Sequence, residues 1–336
     1  MTEINREAKA ALQAEMLYNR LSKRYRHLAK WACRTGTDAF RLYDRDIPEI
    51  PLVLDRYNDA VSGALYERPY EKDEDEENRW LELMAASVSK ALDIPINRVF
   101  LKERRRQRRR QEGGAQYERI GQANVWTTVH ESGARFKVNL SDYLDAGLFL
   151  DARKKRALLR SQAGGLRVLN LFAYTCSLSV CAALGGARQV DSVDLSNTYL
   201  DWGRVNFALN GLDAKNAGPS RFNFIRADVL PFLEEARRAR CSWDLIILDP
   251  PSFSNSKKMK ASLDIRRDYK GLIGRCLALL TLGGRLYFSS SAKGFRLPPE
   301  FPGFKIRDLQ AALTGEDFKG KRTPTCYELT LDPLLS

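Results

Sequence analysis

Apolar positions change their spacing twice along this chain, and each change predicts a different kind of structure. Over residues 5–34, Leu17, Leu21, Tyr25 and Leu28 recur at i, i+4, i+8 and i+11 among Ala, Leu, Glu, Lys and Arg. That spacing places them on one face of an amphipathic helix ended near Gly36. Two short runs, 51–55 and 60–66, read as strands joined by a turn at Asn58-Asp59. The acidic stretch 71–77 leads into a second helix with Leu81, Met84, Val88 and Leu92 on one face, and its carboxylates suit that helix's positive end. Segments 125–131 and 134–140 alternate apolar with polar residues about Ser132-Gly133 and predict a β-hairpin. From residue 166 short apolar strands alternate with helices. The strands fall at 166–172, 189–194, 222–227, 244–249 and 284–289, and the helices near 177–185, 196–210, 229–240 and 265–281. Tyr269, Leu272, Ile273, Cys276 and Leu280 mark the last helix, with Thr281-Leu-Gly-Gly284 ending it. Such alternation predicts an α/β fold with a mainly parallel sheet, and runs 304–309 and 326–331 are candidates to complete it. The chain thus divides into an N-terminal helix over 1–36, a small α+β domain over 37–140 and an α/β domain over 141–336.

Composition narrows what this architecture serves. The 336 residues are 44% hydrophobic and 29% charged, which excludes wholesale disorder, collagen and a bare coiled coil, and the length suits about two domains. Lys+Arg 55 against Asp+Glu 42 gives a net charge of +13, which points to a polyanionic partner. The charge is concentrated. Between 97 and 119, Arg98, Lys102, Arg104, Arg105, Arg106, Arg108, Arg109, Arg110 and Arg119 oppose Glu103, Glu112 and Glu118, so net +6, nearly half the total, sits there. Such a run is either a solvated loop or an RNA-facing loop that neutralises phosphates without reading sequence. The six cysteines include no C-x-x-C pair and read as reduced intracellular thiols. The two histidines, His27 and His130, lie far apart, which disfavours histidine-cluster metal chemistry and Ser-His-Asp catalysis, and no metal is expected. The start has no apolar leader and no run of about 18 apolar residues occurs, so a cytoplasmic protein without membrane contact is expected.

In an open doubly wound sheet ligands bind at the carboxyl ends of the strands, so the residues that end each strand carry the chemistry. The first ends in Asn170, Phe172, Tyr174, Thr175, Cys176 and Ser177. The second ends in Asp194-Leu195-Ser196. Asp194, about 20 residues beyond the first turn, is placed to accept from two ribose hydroxyls, and Ser196 to cap the next helix. The third ends in Asp228, a second carboxylate suited to an adenine amino group. Each acid alone is also an ordinary helix cap. The fourth strand runs into Asp249-Pro250-Pro251-Ser252-Phe253. Two prolines there fix a rigid loop whose carbonyl can meet a base edge, while Phe253 offers a face for stacking an unstacked purine. The competing reading is a simple strand stop with Phe253 in the core. The polar continuation, with Asn255 and Lys257 as candidate RNA contacts, favours the solvent-facing one. No G-x-G-x-x-G follows Leu169, which argues against a dinucleotide-dependent dehydrogenase.

Here the chain resembles a known family. Asn170-Leu-Phe-Ala-Tyr-Thr, Val193-Asp-Leu-Ser-Asn-Thr-Tyr-Leu-Asp-Trp202, Asn206-Phe-Ala-Leu-Asn-Gly-Leu212 and Asp249-Pro-Pro-Ser-Phe-Ser-Asn-Ser-Lys257 are similar to S-adenosylmethionine-dependent rRNA methyltransferases, in particular the RlmK-type 23S rRNA guanine-N7 enzymes. The similarity continues upstream through Tyr43-Asp-Arg-Asp-Ile-Pro48, Gln116-Tyr-Glu-Arg-Ile120 and the stretch from Val138 to Asp151, and so covers nearly the whole chain. It implies a Rossmann-like class I methyltransferase domain preceded by an α+β RNA-facing domain. It further implies Asn170, Phe172 and Tyr174 to Ser177 on the methionine side of S-adenosyl-L-methionine, Asp194 and Leu195 at the ribose, Asp228 at the adenine, and Asp249 to Phe253 at the target base. The implied partner is large-subunit rRNA or a pre-ribosomal particle. Three departures stand out: Cys176 where the family usually has glycine, Ala152 where it tends to have histidine before the candidate cofactor contact Arg153, and the absence of the RNA-capturing and guanosine-N2 methylating parts of the fused enzymes. A separate guanosine-N2 methyltransferase would then act on the same RNA.

Guanine N7 carries an in-plane lone pair and loses no proton on methylation, so direct in-line transfer needs no general base, in keeping with so few histidines. The rivals are an exocyclic amine, which an Asp-Pro-Pro-aromatic loop also suits, and cytosine C5, which requires a cysteine near the fifth strand's end where the chain has Phe288-Ser-Ser-Ser-Ala292. A rival of another class is an RNA-binding or ribosome-assembly protein that keeps the fold, with Cys176 as the residue that favours it.

Overall fold

The computed structural model describes residues 3–66, 73–103, 121–212, 221–254, 262–299 and 301–331. They fall into two units. The first holds helix α1 (Glu3–Thr35), strands β1 (Ala39–Asp44), β2 (Leu52–Tyr57) and β3 (Ala60–Leu65), helix α2 (Glu74–Leu92) and strand β4 (Val99–Glu103). The strands form one sheet in the order β1-β2-β3-β4, antiparallel except for the β3–β4 pair, which α2 bridges as a crossover. Leu17, Leu21 and Leu28 of α1 meet Trp80, Met84, Val88 and Leu92 of α2 over Phe40, Leu42, Leu54 and Val61 of the sheet. Helix α1, set apart over 1–36 in the sequence reading, therefore shares the core of this sheet. On α2 the buried stripe begins at Trp80 rather than Leu81, which packs at the margin. Asp73 caps α2 by accepting from the Glu76 N–H at 2.8 Å, and four acids fill its first turn, where the helix dipole favours them.

The sequence pattern missed β1 and β4. In β1 the apolar alternation is broken by Arg41, which turns to Asp55 at 2.8 Å, and β4 opens the basic stretch whose charge masks its Val99 and Leu101. The expected hairpin is present as β5 (Trp126–Glu131) and β6 (Ala134–Asn139), with Ser132 and Gly133 at φ 49° and 81° in the turn.

The second unit follows the predicted alternation. Its elements are α3 (Arg153–Gln162), β7 (Arg167–Leu171), α4 (Ser177–Leu184), β8 (Gln189–Asp194), α5 (Asn197–Leu209), β9 (Phe222–Arg226), α6 (Val229–Arg238), β10 (Trp243–Leu248), β11 (Phe253–Ser254), β12 (Leu263–Asp264), α7 (Ile265–Leu277), β13 (Leu280–Ser290), β14 (Phe304–Asp308), α8 (Gln310–Leu313) and β15 (Thr325–Leu331). The seven-stranded sheet runs β14-β15-β13-β10-β7-β8-β9, its five central and distal strands parallel and β14 and β15 antiparallel at one edge. This is the mainly parallel, Rossmann-like sheet that the sequence predicts. Strand order reverses between β7 and β10, the switch point where such sheets open a crevice. Leu169, Leu171, Ile246, Leu248, Leu286 and Phe288 build the core beneath α6 and α7.

One boundary and one helix differ from expectation. Helix α7 stops at Leu277, and residues 280–284, read as its end, already belong to β13. Thr281 is fixed there by donating to the Asp244 carboxylate at 2.7 Å. Helix α3 escapes the apolar pattern because three of its four buried residues are Arg153, Lys155 and Arg156. Among the described residues no helix is long and apolar enough to cross a membrane, and no group of His, Cys, Asp and Glu is arranged to hold a metal.

Candidate active site

The turn after β7 has an unusual backbone. Phe172, Tyr174 and Cys176 all take left-handed φ, at 57°, 51° and 59°. Each such non-glycine residue costs roughly 1–3 kcal/mol, and it persists only where the surroundings over-determine it. They do so here. Ala173 donates to the Val193 carbonyl at 3.0 Å and Tyr174 to the Asp194 carboxylate at 2.8 Å. The Thr175 hydroxyl donates to Gly147 O at 2.6 Å, and the Thr175 carbonyl accepts from Asn206 Nδ2 at 2.9 Å. Asn206 in turn accepts from Lys137 N at 2.9 Å, Asn210 exchanges two bonds with the Arg135 backbone, and Trp202 Nε1 donates to Lys137 O at 2.8 Å. Side chains of α5 therefore act as a pseudo-strand for β6 while one of them holds the loop. The Tyr174 ring lies 5.3 Å from that of Phe149 and 4.5 Å from that of Tyr199.

Cys176 turns toward α5 into space that exists because residue 203 is glycine. A Cβ at Gly203 would lie 2.5 Å from Cys176 Sγ and 2.9 Å from its Cβ. Burial pushes this thiol up to about 12, so it stays protonated and offers no thiolate. Ser177 opens α4 next to it, half-buried.

The strand-end acids sit where the sequence expects them. Asp194 accepts from the N–H groups of Tyr174 and Ser196 at 2.8 and 2.9 Å, with Leu195 between, and burial raises its pKa against these bonds. Ser196 caps α5 through Tyr199 N, and Asp228 caps α6 through Leu230 N at 3.2 Å. Asn170 is fully buried. Its Nδ2 donates to Ser179 Oγ at 2.8 Å while Oδ1 has no hydrogen-bond partner. These residues fit S-adenosylmethionine: Asp194 keeps lone pairs for ribose hydroxyls, Asp228 keeps an oxygen beyond its cap, and the Asn170 oxygen is an orphaned acceptor beneath the loop. Arg153 is placed differently, with Nη1 paired 2.8 Å from the buried Asp317 carboxylate.

Beyond β10 the chain is stiffened by Pro250 and Pro251, and Ser252 ties it back by accepting from Ile265 N and bonding Ser291 Oγ at 2.9 Å. Phe253 pairs through its backbone with Asp264, leaving its ring 50% exposed rather than in the core. Asp249 Oδ2 accepts from Lys155 Nζ at 2.6 Å, and the same ammonium donates to Ser289 Oγ at 2.9 Å. Lys155 is buried. Burial works to lower its pKa, but the Asp249 carboxylate, with Asp151 adding to it, holds it above the ordinary lysine value, so it is an ammonium. Sequence reasoning missed Lys155 because a lysine in a basic run reads as solvated surface. Arg104, Arg105, Arg106, Arg108, Arg109, Arg110, Asn255 and Lys257 lie outside the described residues.

Residues 51–301 match the family model described as S-adenosylmethionine-dependent methyltransferase. A ribosomal RNA large subunit methyltransferase K of Neisseria meningitidis serogroup B is 42% identical over 312 residues, spanning 93% of this chain and 86% of that protein. A methyltransferase K/L of Pseudoalteromonas atlantica is 41% identical across 94% of this chain but 44% of its own length, so the chain spans less than half of that relative. Among solved structures, SMU.776, described as a methyltransferase and complexed with SAH, superposes with a TM-score of 0.73 at 22% identity, covering 95% of this chain and 82% of that one, and supports the fold.

Proposed function

Because the chain belongs to the S-adenosylmethionine-dependent methyltransferase family, we propose that it methylates a guanosine at N7 in large-subunit rRNA, in the cytoplasm and by direct transfer. The observation that carries this reading is the arrangement along the sheet. Asp194 and Asp228 end the strands on one side of β7, and the rigid Asp249-Pro250-Pro251 turn with its half-exposed Phe253 ends β10 on the other. A nucleoside cofactor and a target base then approach the switch point from opposite sides.

When bound, S-adenosylmethionine supplies an electrophilic sulfonium methyl. The protein's part is orientation. Asp194 receives the ribose hydroxyls and Asp228 the adenine amino group, while Asn170, Phe172 and the turn Tyr174 to Ser177 border the methionine side. Phe253 stacks on the purine, and Asp249 accepts from its N1–H and N2–H edge. Guanine N7 attacks with its own lone pair and releases no proton, so proximity and alignment make up the catalysis.

The test is transfer to large-subunit rRNA from cells lacking the gene, followed by borohydride and aniline cleavage. New scission at one guanosine is expected. It is lost in Asp249→Ala and weakened about tenfold or more in Phe253→Ala, since stacking contributes roughly 1–3 kcal/mol per base. Label transfer without scission redirects the chemistry to an amine or a ring carbon.

A further inference from the structure

Helix α3 carries Arg153, Lys154, Lys155 and Arg156 in succession, and three of the four are buried. Two of these buried cations are spent on the surrounding chain. Arg153 pairs with Asp317, and Arg156 donates to Phe149 O at 2.9 Å with its guanidinium over the Phe136 ring. Lys155 alone reaches the end of β10, where it meets Asp249 at 2.6 Å and Ser289 at 2.9 Å. Removing an ammonium from water costs several kcal/mol, which an apolar residue at this helix position would avoid.

We propose that Lys155 is a positioning residue that sets base selectivity: by binding Oδ2 of Asp249 it fixes the carboxylate as an acceptor and leaves Oδ1 for a base with a donor edge. This rests on the reading that Asp249 takes the target base. Guanine presents two adjacent N–H donors at N1 and N2, whereas adenine presents one donor, its N6 amine, beside a bare N1 whose lone pair a fixed carboxylate repels. Discrimination therefore comes from an unpaired acceptor set against the wrong base, a stronger device than an added attraction. Of the other titratable groups acting on the ammonium, the Asp151 carboxylate adds to the pull of Asp249, while the Cys326 thiol, pushed up by burial, stays neutral. Only the carboxylate of Asp249 is part-exposed, at 32% against 8% for Lys155. Lys155 itself is thus withheld from RNA and acts through its partner.

The experiment compares Lys155→Met, Lys155→Arg and Lys155→Gln with wild type. Total methyl label gives kcat and KM on target RNA and on the same RNA with adenosine at the methylated position, and calorimetry gives S-adenosylhomocysteine affinity. Lys155→Met is expected to lower kcat/KM for the guanosine RNA about 10- to 100-fold, the range for loss of a charge-assisted bond, and to narrow the preference over adenosine. Cofactor affinity should stay within about twofold. Lys155→Arg restores most of the activity because it restores the charge. If Lys155→Met does not fold, Lys155→Gln, which keeps a donor without the charge, takes its place. Wild-type rate and selectivity in the neutral variants, or losses that track weakened cofactor binding, overturn the proposal. Absence of N7 scission with the wild-type enzyme overturns the parent reading instead, so the two failures are distinct.

Discussion

Substituting alanine for Gly203 tests whether the cofactor turn is held by a size match across the β7 turn and α5. In the interior of an ordinary helix such a change stabilises by about 1 kcal/mol, since glycine is the poorer helix former. Here the added Cβ meets Cys176 Sγ at 2.5 Å, Cys176 Cβ at 2.9 Å and Phe224 at 3.5 Å. Contacts that close force a shift, and overpacking costs roughly 1–3 kcal/mol. The net expectation is a loss on the order of 1 kcal/mol. In a Cys176→Gly background the sign reverses. Glycine takes the left-handed φ of 59° without the roughly 1–2 kcal/mol that a side chain pays there, and the alanine methyl moves into the volume that the thiol gave up. Gly203→Ala should then stabilise by about 1 kcal/mol, so the double-mutant cycle yields a coupling on the order of 2 kcal/mol. Urea unfolding of the four proteins measures this, with equal m values as the condition for reading the midpoints as stability. S-adenosylhomocysteine titration of the same set adds a functional reading, because the displaced residue belongs to the turn. Affinity should fall in Gly203→Ala and recover in the double variant. If Gly203→Ala costs the same in both backgrounds within about 0.5 kcal/mol, the size match is refuted.

Two further outcomes concern buried charge. Burial lowers Lys102 to about 8, against 10.5 for an unperturbed lysine, although its ammonium donates to Tyr143 O at 2.6 Å. Between those values the unfolded chain binds the extra proton, so stability should rise with pH from about 8 to 10.5 by an amount on the order of 3 kcal/mol, and Lys102→Met should lack that rise in denaturant titrations across the window. Asp191 is 3% exposed and takes donors from Gln189, Asn223 at 2.6 Å and Trp243 at 2.7 Å. Asp191→Asn turns an amide N–H₂ toward these donors and should cost at least about 2 kcal/mol in urea unfolding; a midpoint unchanged at constant m would contradict that.

The sheet and its strand-end acids were legible because their signals are local. A buried parallel strand is a short apolar run, and the residue that ends it is fixed in sequence to within a position or two, which is why Asp194, Asp228 and Asp249 could be named without coordinates. What escaped was whatever depends on a partner far along the chain. The periodicity of α3 is written in arginine and lysine, whose burial follows only from Asp317, Phe136 and Asp249. Lys155 and Ser289 lie 134 residues apart, and no spacing rule joins them. Cys176 looked like an obstruction in a turn that suits glycine. Its side chain was read without Gly203, which accommodates it on the neighbouring helix. Asn206 and Asn210 were visible as a motif, yet nothing in the sequence said that their amides bind the backbone of β6 and Thr175.

That last arrangement bears on how such an enzyme can be cut or recombined. Residues 134–137 belong to the second unit, 138–146 to the first, and the chain returns to the second at Gly147. No single break separates the two. A fragment starting at residue 141 would lack the strand backbone that Trp202, Asn206 and Asn210 bind, exposing three polar side chains and loosening the turn that Thr175 anchors. Protease nicking, circular permutation or domain exchange is therefore tolerated best away from residues 134–147, and an inheritable module of this enzyme must include that interleaved stretch.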